Sequence, residues 1–165
     1  MERNKTLELL QGSMLFLASI ANGLEELAGR GAPSITFRAG RNIALKVSVQ
    51  KKAGDLIKAI HTVTDEMERI GLRWDIEVYK RHNEAEFVSL TEEGESVKLV
   101  FRNCMVRSCQ FHYGHPQKNA LCMLNHGLFC GLLQKIYNSW SDYEFIHSGE
   151  NACIGLLKVK SKREV

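Results

Sequence analysis

From Thr6 to Gly29 the chain carries Leu7, Leu10, Met14, Leu17, Ile20, Leu24 and Leu27 at three- and four-residue intervals, the spacing that lines one face of an α-helix. Leu9, Leu15 and Phe16 widen the stripe beyond one face, so the helix is expected to be covered on two sides, the second by another copy of the chain. Gly29 and Gly31 close it. A second helix is expected from about Pro33, a residue suited to a first helical turn, to about Val47, with Ile35, Phe37, Ile43 and Leu45 apolar. Gly40, inside the Arg38-Ala39-Gly40-Arg41 step, costs about 1 kcal/mol against Ala, which suits a place where another backbone comes close. A third helix runs from the N-cap candidate Asp55 to Gly71, with Leu56, Ile60, Val63, Met67 and Ile70 inward.

Past Gly71 the period changes to two. Trp74, Ile76 and Val78 alternate, as do the residues from Phe87 to Leu90. Val97, Leu99 and Phe101 alternate again after the turn Glu92-Glu93-Gly94-Glu95, which predicts antiparallel strands. A loop from Asn103 to Pro116, a helix from about Gln117 to Tyr137, and strands over about Tyr143–His147 and Cys153–Val159 complete the chain, the last two joined by Ser148-Gly149-Glu150-Asn151. The fold class expected is α+β: N-terminal helices packed on an antiparallel sheet interrupted by one helix, residues 1–165 forming a single domain.

Composition narrows the function classes. With 44% hydrophobic and 25% charged residues the 165-residue chain can bury a real core. A net charge of +3 with scattered basic residues gives no nucleic-acid footprint, and the basic run Lys158, Lys160, Lys162 and Arg163 reads as a solvated terminus. The apolar run Met14–Ala21, flanked by Glu8 and Glu25–Glu26, is too short for a membrane span or a secretory signal. A cytoplasmic location is therefore expected.

The candidate chemistry is concentrated late in the chain. No cysteine precedes Cys104, after which Cys104, Cys109, Cys122, Cys130 and Cys153 alternate with His112, His115, His126 and His147. Thiolate and imidazole gathered in this way suit zinc or an iron–sulfur cluster, and an odd number of thiols argues against a disulfide framework. Cys122, His126 and Cys130 recur every fourth residue on one helix, a spacing that serves metal ligands or a core stripe. Gly127 and Gly131 clear a flank of that helix for a close neighbour.

The helix cysteine with its Gly-x3-Gly step and the Glu150-x2-Cys153 turn before the last strand resemble the C-terminal half of 4-vinyl-reductase domains. The stretch from Gly31 to Arg41 resembles that family's second-helix entry, and the Val97–Cys104 strand is also similar. The family includes hydrocarbon-binding proteins and the sensor halves of aromatic-responsive regulators, and TRAPP-type trafficking subunits share its fold. The resemblance implies zinc held by Cys122, Glu150 and Cys153. The family's second cysteine after the turn is missing here, so Cys104 or Cys109 becomes the candidate for the remaining thiolate and His115 a further ligand candidate. Four thiolates from Cys104, Cys109, Cys122 and Cys153 would equally suit an iron–sulfur cluster.

The expected function is a homodimeric domain that binds a hydrophobic or aromatic small molecule in an apolar pocket between helices and sheet. Phe37, Trp74, Phe111, Tyr113, Phe129 and Trp140 are its candidate lining. A sensor of this length is expected to act with a regulatory partner protein. The alternatives are an enzyme, either a reductase-associated protein or a hydrolase pairing Cys109 with His112 or Cys122 with His126, and an assembly subunit.

Overall fold

The computed structural model describes residues 2–80 and 88–160, so Phe87, Lys162 and Arg163 lie outside the described residues. Helices come first: α1 (Glu2–Ala28), a single 3-10 turn over Gly29–Gly31, α2 (Ala32–Lys46) and α3 (Leu56–Arg69). Pro33 occupies the first turn of α2. The Asp55 carboxylate caps α3 by accepting from the Lys58 backbone N–H at 2.9 Å.

The period-two segments are strands β1 (Asp75–Val78), β2 (Val88–Thr91), β3 (Gly94–Arg102), β4 (Ser141–Ser148) and β5 (Cys153–Lys160). All pairings are antiparallel, in the order β1-β3-β5-β4. β2 pairs with the first half of β3 and β1 with the second half. The protein is α+β, as its sequence pattern predicts. One detail differs: two helices, not one, interrupt the sheet. Within the expected loop, Arg107–Tyr113 forms the short helix α4, ended by Gly114 at φ 67°, and α5 follows over Ala120–Tyr137.

Ile60, Val63 and Met67 of α3 and Phe129, Leu132 and Leu133 of α5 pack with Leu99, Phe101 and Leu157 of the sheet into the main core. The layer between helices and sheet is filled by these side chains. α2 rests on α5 at backbone distance: a Cβ on Gly127 would stand 2.1 Å from the Phe37 carbonyl oxygen, and one on Gly40 would stand 2.1 Å from that of Leu124. The small-residue step thus does what its spacing suggests.

α1 departs from expectation. Its inward residues are Ala18 and Ala21. Ala21 joins Val106, Cys109, Ala120 and Leu121 in a second, smaller cluster with Met14 and Tyr113 at its edge. The larger apolar residues point away, with Phe16 66% and Leu27 90% exposed. Small side chains let α1 lie close on α4 and α5, which turns the leucine stripe outward. No described helix is long and apolar enough to cross a membrane.

Candidate functional site

Three of the cysteines meet at one end of the sheet. Cys153 opens β5 opposite Phe101, near the end of β3, Cys104 follows where β3 leaves the sheet, and Cys122 lies in the first turn of α5. With Glu150 and the rings of Trp74, Phe101, His126 and Phe145 they line a cleft enclosing about 40 Å³. That space accepts an ion or a water, not an aromatic ring.

Gln110 Nε2 donates to Cys122 Sγ at 3.2 Å, and Asn125 Nδ2 donates to Cys104 Sγ at 3.5 Å. Both bonds favour thiolate, but burial outweighs them: it pushes the Cys122 thiol up to about 11, and the Cys104 thiol also rises. Like-charge repulsion adds to this: Cys153 raises the Cys104 thiol, and Cys104 and Cys153 both raise that of Cys122. Alone, the Cys104 and Cys122 thiols stay protonated and inert at neutral pH; a divalent cation would reverse the balance by neutralising thiolates together. Three thiols and a carboxylate are a donor set that zinc accepts. Among the described residues no three such side chains already surround a common ion position, so ion binding requires them to turn toward one another.

The other two ligand candidates lie elsewhere. Cys109 is buried against α1, its Sγ 3.8 Å from the Met14 carbonyl oxygen. His115 caps α5: its Nε2 accepts from the Leu121 N–H at 3.3 Å, while Glu25 accepts from the Ala120 N–H at 2.9 Å. Burial lowers the His115 pKa against the opposing pull of Glu25, which keeps Nε2 an acceptor. A helix N-terminus therefore occupies the lone pair that a metal would need.

Cys130 lies in the core with its thiol pushed up to about 12 by burial, whereas its helix neighbour His126 faces the cleft. The His126 ring stacks on Tyr143 with centroids 3.8 Å apart and stands edge-on to Phe101. Burial lowers its pKa to about 3. Its Nδ1, like Trp74 Nε1, has no hydrogen-bond partner within the protein.

The aromatic candidates divide among several places. Phe37 and Trp140 share a groove of about 490 Å³ with Ser34, Arg38, Arg41, Met123, Asp142 and Tyr143, where α2, α5 and β4 meet. Trp74 belongs to the thiol cleft, and Phe129 is fully buried core. Phe111 is exposed beneath the Arg107 guanidinium, and Tyr113 donates to the Gln11 carbonyl oxygen of α1 at 3.4 Å.

The residue that pattern reasoning passes over is Arg41. It lies one turn after Phe37 on the same α2 face, yet its side chain is only 4% exposed. The Trp140 ring centroid lies 3.3 Å from its guanidinium carbon, a cation–π stack. The available signal was an arginine one turn after Phe37, in the Arg38-Ala39-Gly40-Arg41 step of α2. Comparison with protein-family models finds no match for this chain, and comparison with curated proteins finds none either.

Proposed function

We propose that this chain is a binding domain for a hydrophobic or aromatic small molecule, with a structural zinc in the thiol cleft. The observation that carries this reading is the groove of about 490 Å³ walled by Phe37, Met123, Trp140 and Tyr143. Its size falls within the roughly 300–1,000 Å³ of small-molecule sites, and its aromatic walls suit a flat apolar ligand. Because Phe129, Leu99 and Leu132 fill the space between helices and sheet, the ligand binds at the edge of those layers. The resemblance to 4-vinyl-reductase domains supports the same class of function.

Cys104, Cys122, Cys153 and Glu150 are the residues that would hold the zinc. Bound there, it would neutralise the thiolates and tie the end of β3, the first turn of α5 and the start of β5 together. A four-thiolate cluster has less support, since Cys109 belongs to the contact between α1 and α4. A cysteine nucleophile has less support too: burial raises the Cys122 thiol and keeps His126 neutral, so neither activates the other.

Calorimetry with naphthol as probe tests the binding reading. Saturable one-to-one heat is expected, weakened about tenfold or more in a folded Trp140→Ala chain; heat that does not saturate contradicts the reading. Elemental analysis of anaerobically purified protein tests the metal. Stoichiometric zinc, lost in Cys122→Ser, is the expected result, and protein without metal contradicts it.

A further inference from the structure

We infer that the groove takes an aromatic carboxylate, a small monoanion whose acid group is received by Arg41. The inference rests on the binding reading above and names the ligand class.

Arg41 is the buried charge of the groove, and two of its three guanidinium nitrogens have partners. Nε donates to Gln134 Oε1 at 3.1 Å and Nη2 donates to the Ser141 carbonyl oxygen at 2.9 Å. Nη1 is buried and has no hydrogen-bond partner. Its near neighbour Asp142 Oδ1 is 4.0 Å away, beyond hydrogen-bond reach. A guanidinium withdrawn from water and left one acceptor short is unfavourable, and an oxygen supplied from outside relieves the deficit.

The surroundings say which oxygen. One nitrogen without a partner matches one carboxylate oxygen, because Nε and Nη2 each already donate to an acceptor. Asp142 stands as a local stand-in for that group. Its side chain is 57% exposed, and the Trp140 indole N–H donates to its Oδ2 at 3.2 Å. An incoming carboxylate displaces it from in front of Nη1. The remaining like charge disfavours a dianion such as a phosphate monoester, while exposed Arg38, three residues before Arg41 and on the same groove, adds positive charge at the mouth. Phe37, Met123 and Trp140 cover the apolar body of the ligand.

Calorimetry of the full chain compares naphthoate with naphthol, which share a ring system and differ in charge at neutral pH. Naphthoate is expected to bind about tenfold more tightly, and Arg41→Lys to lose that preference. Asp142→Asn, an exposed substitution that does not threaten the fold, is expected to tighten naphthoate several-fold more than it changes naphthol. That arm decides the matter even if Arg41→Lys fails to fold. Equal binding of the two probes, or an Asp142→Asn chain that treats them alike, overturns the carboxylate assignment and leaves the binding reading standing. Naphthyl phosphate binding more tightly than naphthoate overturns the monoanion. If no probe binds, the binding reading and this inference fall together.

Discussion

His126 is buried, only 2% exposed, so carrying a proton there is costly, and its effect on stability follows from that burial. In the unfolded chain its imidazole titrates near 6.5, whereas burial holds it down to about 3 in the folded protein. Below pH 6.5 the unfolded chain takes up a proton that the folded one refuses, so stability falls by up to about 1.4 kcal/mol per pH unit toward pH 3. Cys130 sets the other limit: burial raises its thiol from 9.0 to about 12. Its stabilising contribution is complete below about pH 9 and is lost as pH rises through 12. Urea denaturation across pH is expected to show a plateau between these limits, and His126→Phe to flatten the acid limb. His115, also lowered by burial, leaves part of that slope in place. An unchanged acid limb in His126→Phe would contradict the assignment.

At the scale of elements, the crossing of α2 and α5 is the most demanding contact, and glycine makes it possible. A Cβ on Gly127 meets the Phe37 carbonyl oxygen at 2.1 Å. A backbone atom cannot yield as a flexible side chain can, so Gly127→Ala is expected to cost about 3 kcal/mol or to prevent folding. On exposed α1, a Cβ on Gly12 meets nothing within 4 Å, and Gly12→Ala is expected to stabilise by about 0.5–1 kcal/mol. Equilibrium denaturation of the two variants checks both signs. This crossing was readable in the sequence because Gly40 and the Gly127–Gly131 step have little other use inside helices. The change from helices to strands after Gly71 was readable for a similar reason, since period 3.6 and period 2 are hard to confuse over such lengths. α4 was not, because seven residues among potential ligands carry too short a period to register. The inner face of α1 was missed as well: periodicity reveals an apolar stripe but not which side the protein covers, and here Ala18 and Ala21 make the contact. His115 looked like a ligand because its role as a helix cap depends on Leu121 and Glu25, partners that only the folded chain brings near.

For the whole molecule, the outward face of α1 is a broad apolar surface: Leu9, Leu10, Leu15, Phe16, Ile20 and Leu27 are all exposed. So much apolar surface along one helix is what a self-complementary dimer contact would bury. Sedimentation equilibrium at micromolar concentration is expected to give a dimer, and Phe16→Glu a monomer near 18.7 kDa; a wild-type monomer would contradict the dimer. The site divides by scale in the same way. The pairing of Cys122 with Cys153 was expected from the resemblance, with Cys104 or Cys109 left as the remaining thiolate, whereas the groove depends on how α2 meets β4, which no local pattern encodes. The chain's two tryptophans permit a direct test, because Trp140 lines the groove and Trp74 lines the thiol cleft. Naphthoate is therefore titrated into nitrogen-labelled protein while the two indole N–H resonances are followed by NMR. The Trp140 resonance is expected to shift saturably with Trp74 unmoved; a shift confined to Trp74, or none at either indole, would contradict binding in the groove.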